Sequence, residues 1–172
     1  PTYVFIVEGM EGILLIDTGG SGSGSVIRSA LEGMGYTAGD IRAIALSHWH
    51  NDHTGGLAEL IDTIPADRMV PVYIGEDDLP HLQSGSRGIL RVHPLLRIPL
   101  PHRPGRLPGG TGTRWEPMSM SRGRSHLVEG WSITPVHTPG HTPGHHAFHH
   151  AETDTMLAGC ALAMLSRNTA GI

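Results

Sequence analysis

Residues 48 to 53 read His48-Trp49-His50-Asn51-Asp52-His53, which puts four metal-capable side chains inside one stretch of six. Two imidazoles at i and i+2, then a carboxylate and a third imidazole, exceed the three protein ligands plus water that one catalytic zinc takes, so the run reads as the start of a two-metal site. Even in a chain with 13 His, such a run arises by accident only about three times per thousand sequences. A polar turn capped by Asp52 would explain one of the four residues and leave three unexplained. The flanks constrain the fold. Ile41-Arg42-Ala43-Ile44-Ala45-Leu46 is short, apolar and rich in branched residues, as a buried strand is, and Gly55-Gly56-Leu57-Ala58-Glu59-Leu60-Ile61 reads as the opening of a helix. The ligands are therefore expected on a strand-to-helix loop of an α/β domain, where function concentrates.

Composition narrows the chemistry. At 172 residues the chain is expected to form one domain, residues 1–172, with a core of its own, and no apolar run is long enough to cross a membrane. All twelve basic residues are Arg, which excludes a Schiff-base lysine, a phosphate-loop lysine and a Ser-Lys nucleophile pair. A net charge of −4 gives no basic footprint for nucleic acid. The cluster of Arg87, Arg91, Arg97, Arg103, Arg106, Arg114, Arg122 and Arg124 reads as solvated loop. Cys160 is the single cysteine, so no intramolecular disulfide forms. The expected partner is a small-molecule substrate, with neither nucleic acid nor membrane, and the oligomeric state is open. The chain enters an apolar run directly at Pro1 and stops shortly after Cys160, so truncation at both ends is expected; the compartment is open, leaning to the cytoplasm.

Along the chain, Tyr3 to Val7 and Gly12 to Asp17 flank Glu8-Gly9-Met10-Glu11 as a hairpin. Gly19-Gly20-Ser21-Gly22-Ser23-Gly24-Ser25 has the glycine content of a phosphate cradle but lacks the Gly-Lys-Ser/Thr ending, which favours a flexible turn. Residues 25–34 carry apolar side chains at helical spacing, with Gly35 as the closing glycine. A strand is expected around Val70 to Ile74, then a helical turn from Glu76 to Gln83 that Pro80 should cut short. Residues 84–124 are dense in Pro, Gly and Arg without period, which predicts an irregular loop, either a lid or a merely mobile segment. Order should resume with Leu127-Val128, Ser132 to Val136, Gly144 to His150 and Thr155 to Cys160 as β segments.

Three segments together resemble one family. Ser47-His48-Trp49-His50-Asn51-Asp52-His53-Thr54-Gly55-Gly56 resembles the metal-binding signature of the metallo-β-lactamase superfamily. Leu14-Leu15-Ile16-Asp17-Thr18-Gly19 is similar to its strand-ending aspartate turn, and Thr138-Pro139-Gly140-His141-Thr142-Pro143-Gly144-His145 to its next metal-binding loop. The resemblance implies a four-layer αββα sandwich, two mixed sheets face to face with helices outside and metals at one edge, its C-terminal part lying beyond this chain. It implies one zinc on His48, His50 and His141, and a second metal begun by Asp52 and His53. The family's bridging carboxylate follows a glycine on a later strand, where this chain has Gly159-Cys160. A thiolate is a good zinc ligand, so Cys160 is expected to hold the second metal, the alternative being a small buried hydrophobe. Some β-lactamases of the superfamily use such a cysteine, but they carry Arg where this chain has His53. The family's last metal-binding His would lie beyond Cys160, and no His follows His150, so the second zinc is expected to bind more weakly than the first. Asp17 and His145 are expected to hold ligands in place by hydrogen bonds rather than to ligate.

The function this implies is a zinc-dependent hydrolase that directs a metal-bound hydroxide at an ester, lactone, thioester or lactam bond, with Asp52 accepting or relaying the proton. The Thr138–His145 run looks most like lactonases and glyoxalase II-type thioesterases. Two alternatives stand beside it: a non-haem iron persulfide dioxygenase-like oxidoreductase, with Fe or Mn in place of zinc, and a metal-binding protein with impaired catalysis.

Overall fold

A computed structural model of the chain describes residues 2–84, 88–93, 96–102, 115–121 and 130–161. Strands β1 (Phe5–Gly9) and β2 (Gly12–Ile16) pair antiparallel with Gly9 opposite Gly12, so Met10 and Glu11 form the two-residue turn of the expected hairpin. Helix α1 (Ser23–Gly33) then returns the chain to β3 (Ile41–Ala45), which lies parallel to β2. The short helices α2 (Asn51–Thr54) and α3 (Leu57–Ile61) lead to β4 (Val70–Gly75), and α4 (Leu79–Ser84) follows. Among the described residues, strands β5 (Gly88–His93) and β6 (Leu96–His102) pair with each other alone, and β7 (Trp115–Met120) joins the first sheet, whose order is β1-β2-β3-β4-β7. The second sheet is an antiparallel meander of β8 (Ile133–His137), β9 (His146–His150) and β10 (Thr155–Leu157).

Alternation along β2 and β3 builds the layers. Ile13 and Leu15 face the helices, packing with Ile27 and Leu31 of α1, Leu57, Leu60 and Ile61 of α3 and Leu82 of α4. Leu14 and Ile16 face the other way and meet Ile133 and Phe148 of the second sheet and Trp131 just before it. Each such fully buried branched or aromatic side chain contributes roughly 1.5–3 kcal/mol. A register shift in the β2–β3 pairing, which skips Arg42, lets Ile41 and Ile44 both point at the helices. Three layers of the expected sandwich, helices and two facing sheets, are thus built by the described residues.

Several expectations change. The helix expected over 25–34 starts two residues earlier, and the amides of Gly22 and Gly24 at its head donate to the two oxygens of Glu59 at 2.7 and 3.1 Å. The glycine-rich loop therefore holds a carboxylate of the protein itself and is no phosphate cradle. Pro80 does not shorten α4; the helix begins at Leu79, so the proline sits in the first turn, where its missing N–H costs nothing. The segment 84–124 is not uniformly irregular, since β5, β6 and β7 fall within it. Its prolines do not prevent this: among the described residues, Pro99 and Pro101 lie in β6, which pairs with β5 alone, and Pro117 lies in β7 at the edge of its sheet. The rest of that segment, and the strand expected at Leu127-Val128, lie outside the described residues. β10 ends at Leu157, so Cys160 stands on a turn and not on a strand.

Candidate metal centre

The parallel pair β2–β3 ends with Ile16 beside Ala45, and the loops that leave these strands begin the site. Asp17 bends away with φ 61, a left-handed conformation that Asp tolerates better than most residues, while its amide still donates to Ala45 O at 2.8 Å. The bend aims its carboxylate at Ser47, whose amide donates to Oδ1 at 2.7 Å and whose hydroxyl donates to Oδ2 at 2.8 Å. His146 of β9 in turn donates its amide to Ser47 O at 2.9 Å, tying the second sheet to the same loop.

Proton positions follow from this network. The single hydroxyl proton of Ser47 goes to Asp17, so Nδ1 of His48, 3.0 Å from that hydroxyl oxygen, must donate to it. Nε2 of His48 is then left with its lone pair. Nδ1 of His53 lies 2.7 Å from Oδ2 of Asp17 and donates there, which turns Nε2 of His53 to the site as well. Burial, and then the neighbouring imidazoles, push His48 well below its ordinary pKa, so it stands neutral. Burial also opposes charge on His53, but its hydrogen bonds and charge interactions with Asp17 and Cys160 outweigh this and push it up to about 10 in the metal-free protein.

Two groups of three donors result among the described residues, each with its donor atoms within 4.8 Å of one another: His48, His50 and His141, and His48, His53 and Cys160. In the first, Nδ1 of His50 lies 3.0 Å from Nε2 of His48 and 3.0 Å from Nε2 of His141. One proton on that nitrogen can bridge to one of these neighbours and not to both. A tetrahedral zinc with ligands at about 2.0–2.1 Å spaces its nitrogens by about 3.3 Å, close to the separations found, so the residues present fit a divalent metal. In the second group, Sγ of Cys160 is 3.3 Å from Nε2 of His53.

The remaining expected residues take their places around these groups. Asp52, with its side chain 57% exposed, sits at the rim with Oδ2 3.6 Å from Nε2 of His53, and belongs to neither group. It does not cap a helix: His50 precedes α2 and Asp52 lies in its first turn. Thr2 donates its hydroxyl to Asp52 at 3.2 Å. His145 is buried, and its Nε2 accepts the amide of Cys160 at 3.3 Å, so Nδ1 carries the proton and donates to the Thr138 hydroxyl at 2.8 Å. Gly159 has φ 52, and a side chain there would press on Ser47 and His145, which explains a glycine before Cys160. Ser47 and Thr138 were not singled out from sequence. Their signal was position alone, each polar and hydroxylic at a strand end beside a ligand loop.

A family model described as the metallo-beta-lactamase superfamily matches residues 1–167. Among curated proteins, an atrochrysone carboxyl ACP thioesterase of Passalora fulva is 39% identical over 66 residues, covering 37% of this chain and 19% of that protein. The human metallo-beta-lactamase domain-containing protein 1 is 33% identical over 87 residues, covering 45% and 33%. Among solved structures, a Cronobacter sakazakii metallo-beta-lactamase variant aligns over 86% of this chain and 50% of its own, with TM-score 0.61 and 23% identity. BJP-1, a subclass B3 metallo-beta-lactamase of Bradyrhizobium japonicum, aligns over 86% and 49%, with TM-score 0.60 and 24% identity. The chain thus spans a third or less of those curated relatives and about half of the solved chains, whose likeness bears on the fold.

Proposed function

The chain belongs to the metallo-beta-lactamase superfamily, and on that premise we propose that it is a zinc-dependent hydrolase of acyl bonds in esters, lactones, thioesters or lactams. The observation that carries the reading is the meeting of the ring nitrogens of His48, His50 and His141 at 3.0 Å spacings, with His53 and Cys160 beside them. His48, His50 and His141 would hold the first zinc, and His53 and Cys160, with Asp52 at the rim, the second. When bound, zinc supplies Lewis acidity that polarises an acyl carbonyl and brings water towards ionisation near pH 7. Asp52 takes the proton that water loses as its oxygen adds to the acyl carbon, and returns it to the departing oxygen, sulfur or nitrogen. Ser47 and Asp17 keep the protons of His48 and His53 on Nδ1, so that Nε2 of each stays a ligand. Cys160 in place of a carboxylate disfavours the two-His, one-carboxylate iron set of the oxygenase alternative.

The test is metal content together with turnover. Elemental analysis should find zinc, chelation should abolish hydrolysis in a panel led by thioesters, and added zinc should restore it. Thioesters come first because one of the curated relatives, 39% identical over 66 residues, is a thioesterase. Hydrolysis that survives complete metal removal would refute the proposal.

A further inference from the structure

We propose that Asp78 is a positioning residue for the first metal site: by bracing Thr142 and Gly144 it fixes the turn that presents His141, and so sets how tightly that site holds its metal. The inference rests on the reading of His48, His50 and His141 as ligands. Asp78 lies far from them in sequence and is fully buried. Its Oδ2 accepts the Thr142 hydroxyl at 2.6 Å and its Oδ1 accepts the Gly144 amide at 2.9 Å, so each oxygen grips one residue of the turn following His141. Burial raises its carboxyl above the ordinary range, against the pull of those same two bonds. A carboxylate held dry in this way is expensive unless it is hydrogen-bonded, and both of its bonds end on one turn.

The brace is itself anchored. Asp78 donates its amide to Gly75 O at 2.9 Å, and its carbonyl receives the amides of His81 and Leu82 at 3.1 Å, which locks it at the head of α4. The turn packs so closely here that Gly144 has no room for a Cβ, which would lie 2.7 Å from Cγ of Asp78. Other bonds hold the base of the turn, where Thr138 donates its amide to His145 O at 2.8 Å and His137 donates Nε2–H to Pro143 O at 3.0 Å. From the first sheet's side, Asp78 reaches across with side-chain hydrogen bonds to residues 142 and 144, beside the close approach of Gly75 to Gly144. The head of α4 also meets the other ligand loop, since His81 stacks on Trp49, between His48 and His50, with ring centroids 5.1 Å apart. One turn after β4 thereby references both ligand loops to each other, although it supplies no ligand.

Residues that orient ligands from behind typically change metal affinity 10- to 100-fold when lost. Three variants of the full chain test this: Thr142→Val, which deletes the hydroxyl at constant shape, Thr142→Ser, which keeps it, and Asp78→Ala. First-equivalent zinc affinity is read by competition with a chromophoric chelator, alongside the visible d–d spectrum of the cobalt form and far-ultraviolet circular dichroism. The expected result is a 10- to 100-fold loss of affinity and an altered cobalt spectrum in Thr142→Val and Asp78→Ala, with Thr142→Ser within threefold of the parent. Should Asp78→Ala fail to fold, Thr142→Val decides. Parental affinity and cobalt spectrum in a folded Thr142→Val overturn this inference alone, whereas a parent chain that takes up no zinc overturns the ligand assignment and this inference together.

Discussion

Nδ1 of His53 lies 2.7 Å from Oδ2 of Asp17, and both side chains are buried. The pair sets which nitrogen of His53 faces the site, because an ionised carboxylate accepts and never donates. Asp17→Asn tests this. An amide nitrogen turned towards His53 would require Nδ1 to accept, moving the proton to Nε2, the nitrogen needed for ligation. The second equivalent of metal should bind 10- to 100-fold more weakly, and the first, on His48, His50 and His141, should weaken too, because the same Oδ2 holds the Ser47 proton that sets the His48 tautomer. Isothermal titration with zinc separates the two, and an unchanged second step would refute the tautomer argument.

His48 and His53 predict different proton linkage for the two proposed metal sites. His48 is held neutral by burial, so at pH 7 it gives up no proton to a metal; His53, pushed up to about 10, must give one up. Second-metal affinity should therefore rise by about tenfold per pH unit between 7 and 9 for each proton displaced, with protons released into a weakly buffered solution. In the metal-free protein the sign reverses. A His whose folded pKa exceeds its unfolded value of about 6.5 stabilises fully below that value, and the contribution is lost as pH rises through about 10. Denaturant midpoints of the metal-free chain measured from pH 6.5 to 10 should fall; a flat profile would contradict the charged pair.

How much of this was legible beforehand depends on the range of the interactions. The β3 strand, the α1 helix and the ligand cluster are local patterns, and they appear within a few residues of their expected bounds. The return of His141 to His50 over 91 residues was readable only through resemblance, since no periodicity reports a contact between distant loops. Asp17 was readable as a residue that steadies the ligand loop, but not its left-handed backbone or its grip on Ser47, because dihedrals at a strand end depend on what the strand pairs with. The hairpin of β5 and β6 was missed for a different reason. Its prolines erase the alternation that marks a strand, yet a two-stranded ribbon consists of edges, where proline is tolerated. Asp78 gave no signal at all, one acid among the polar residues of Glu76-Asp77-Asp78 before a helix.

His145 should make the metal-free protein acid-labile. Burial, and then the imidazoles of His141, His53, His146 and His137, push it down to about 3, and its hydrogen bonds require the neutral ring. The unfolded chain takes up a proton here below about pH 6.5 and the folded chain does not until about 3. Stability from this residue is thus full above 6.5 and falls as pH drops, by about 1.4 kcal/mol per unit. In His145→Gln the fall in unfolding free energy between pH 6.5 and 4 should be shallower by one proton. Equal slopes in the two proteins would show that His145 takes no part.

The family resemblance leads one to expect Cys160 at the place of a bridging carboxylate, and we propose a terminal role for it on its geometry. Its Sγ is 3.3 Å from Nε2 of His53, and the group of three donors to which it belongs holds His48 but neither His50 nor His141. A thiolate there engages one metal, leaving no protein atom shared between two. The second metal should therefore dissociate more readily than the first, since among the described residues Asp52, at the exposed rim, is what adds to His53 and the thiolate. Cobalt reports thiolate ligation directly, since a sulfur-to-metal charge-transfer band appears in the near ultraviolet. That band should grow only with the second equivalent and vanish in Cys160→Ser, which should also lower second-metal affinity at least tenfold. A band that saturates with the first equivalent would put Cys160 on the tight site, and no band at two equivalents would make it a packing residue beside a mononuclear centre.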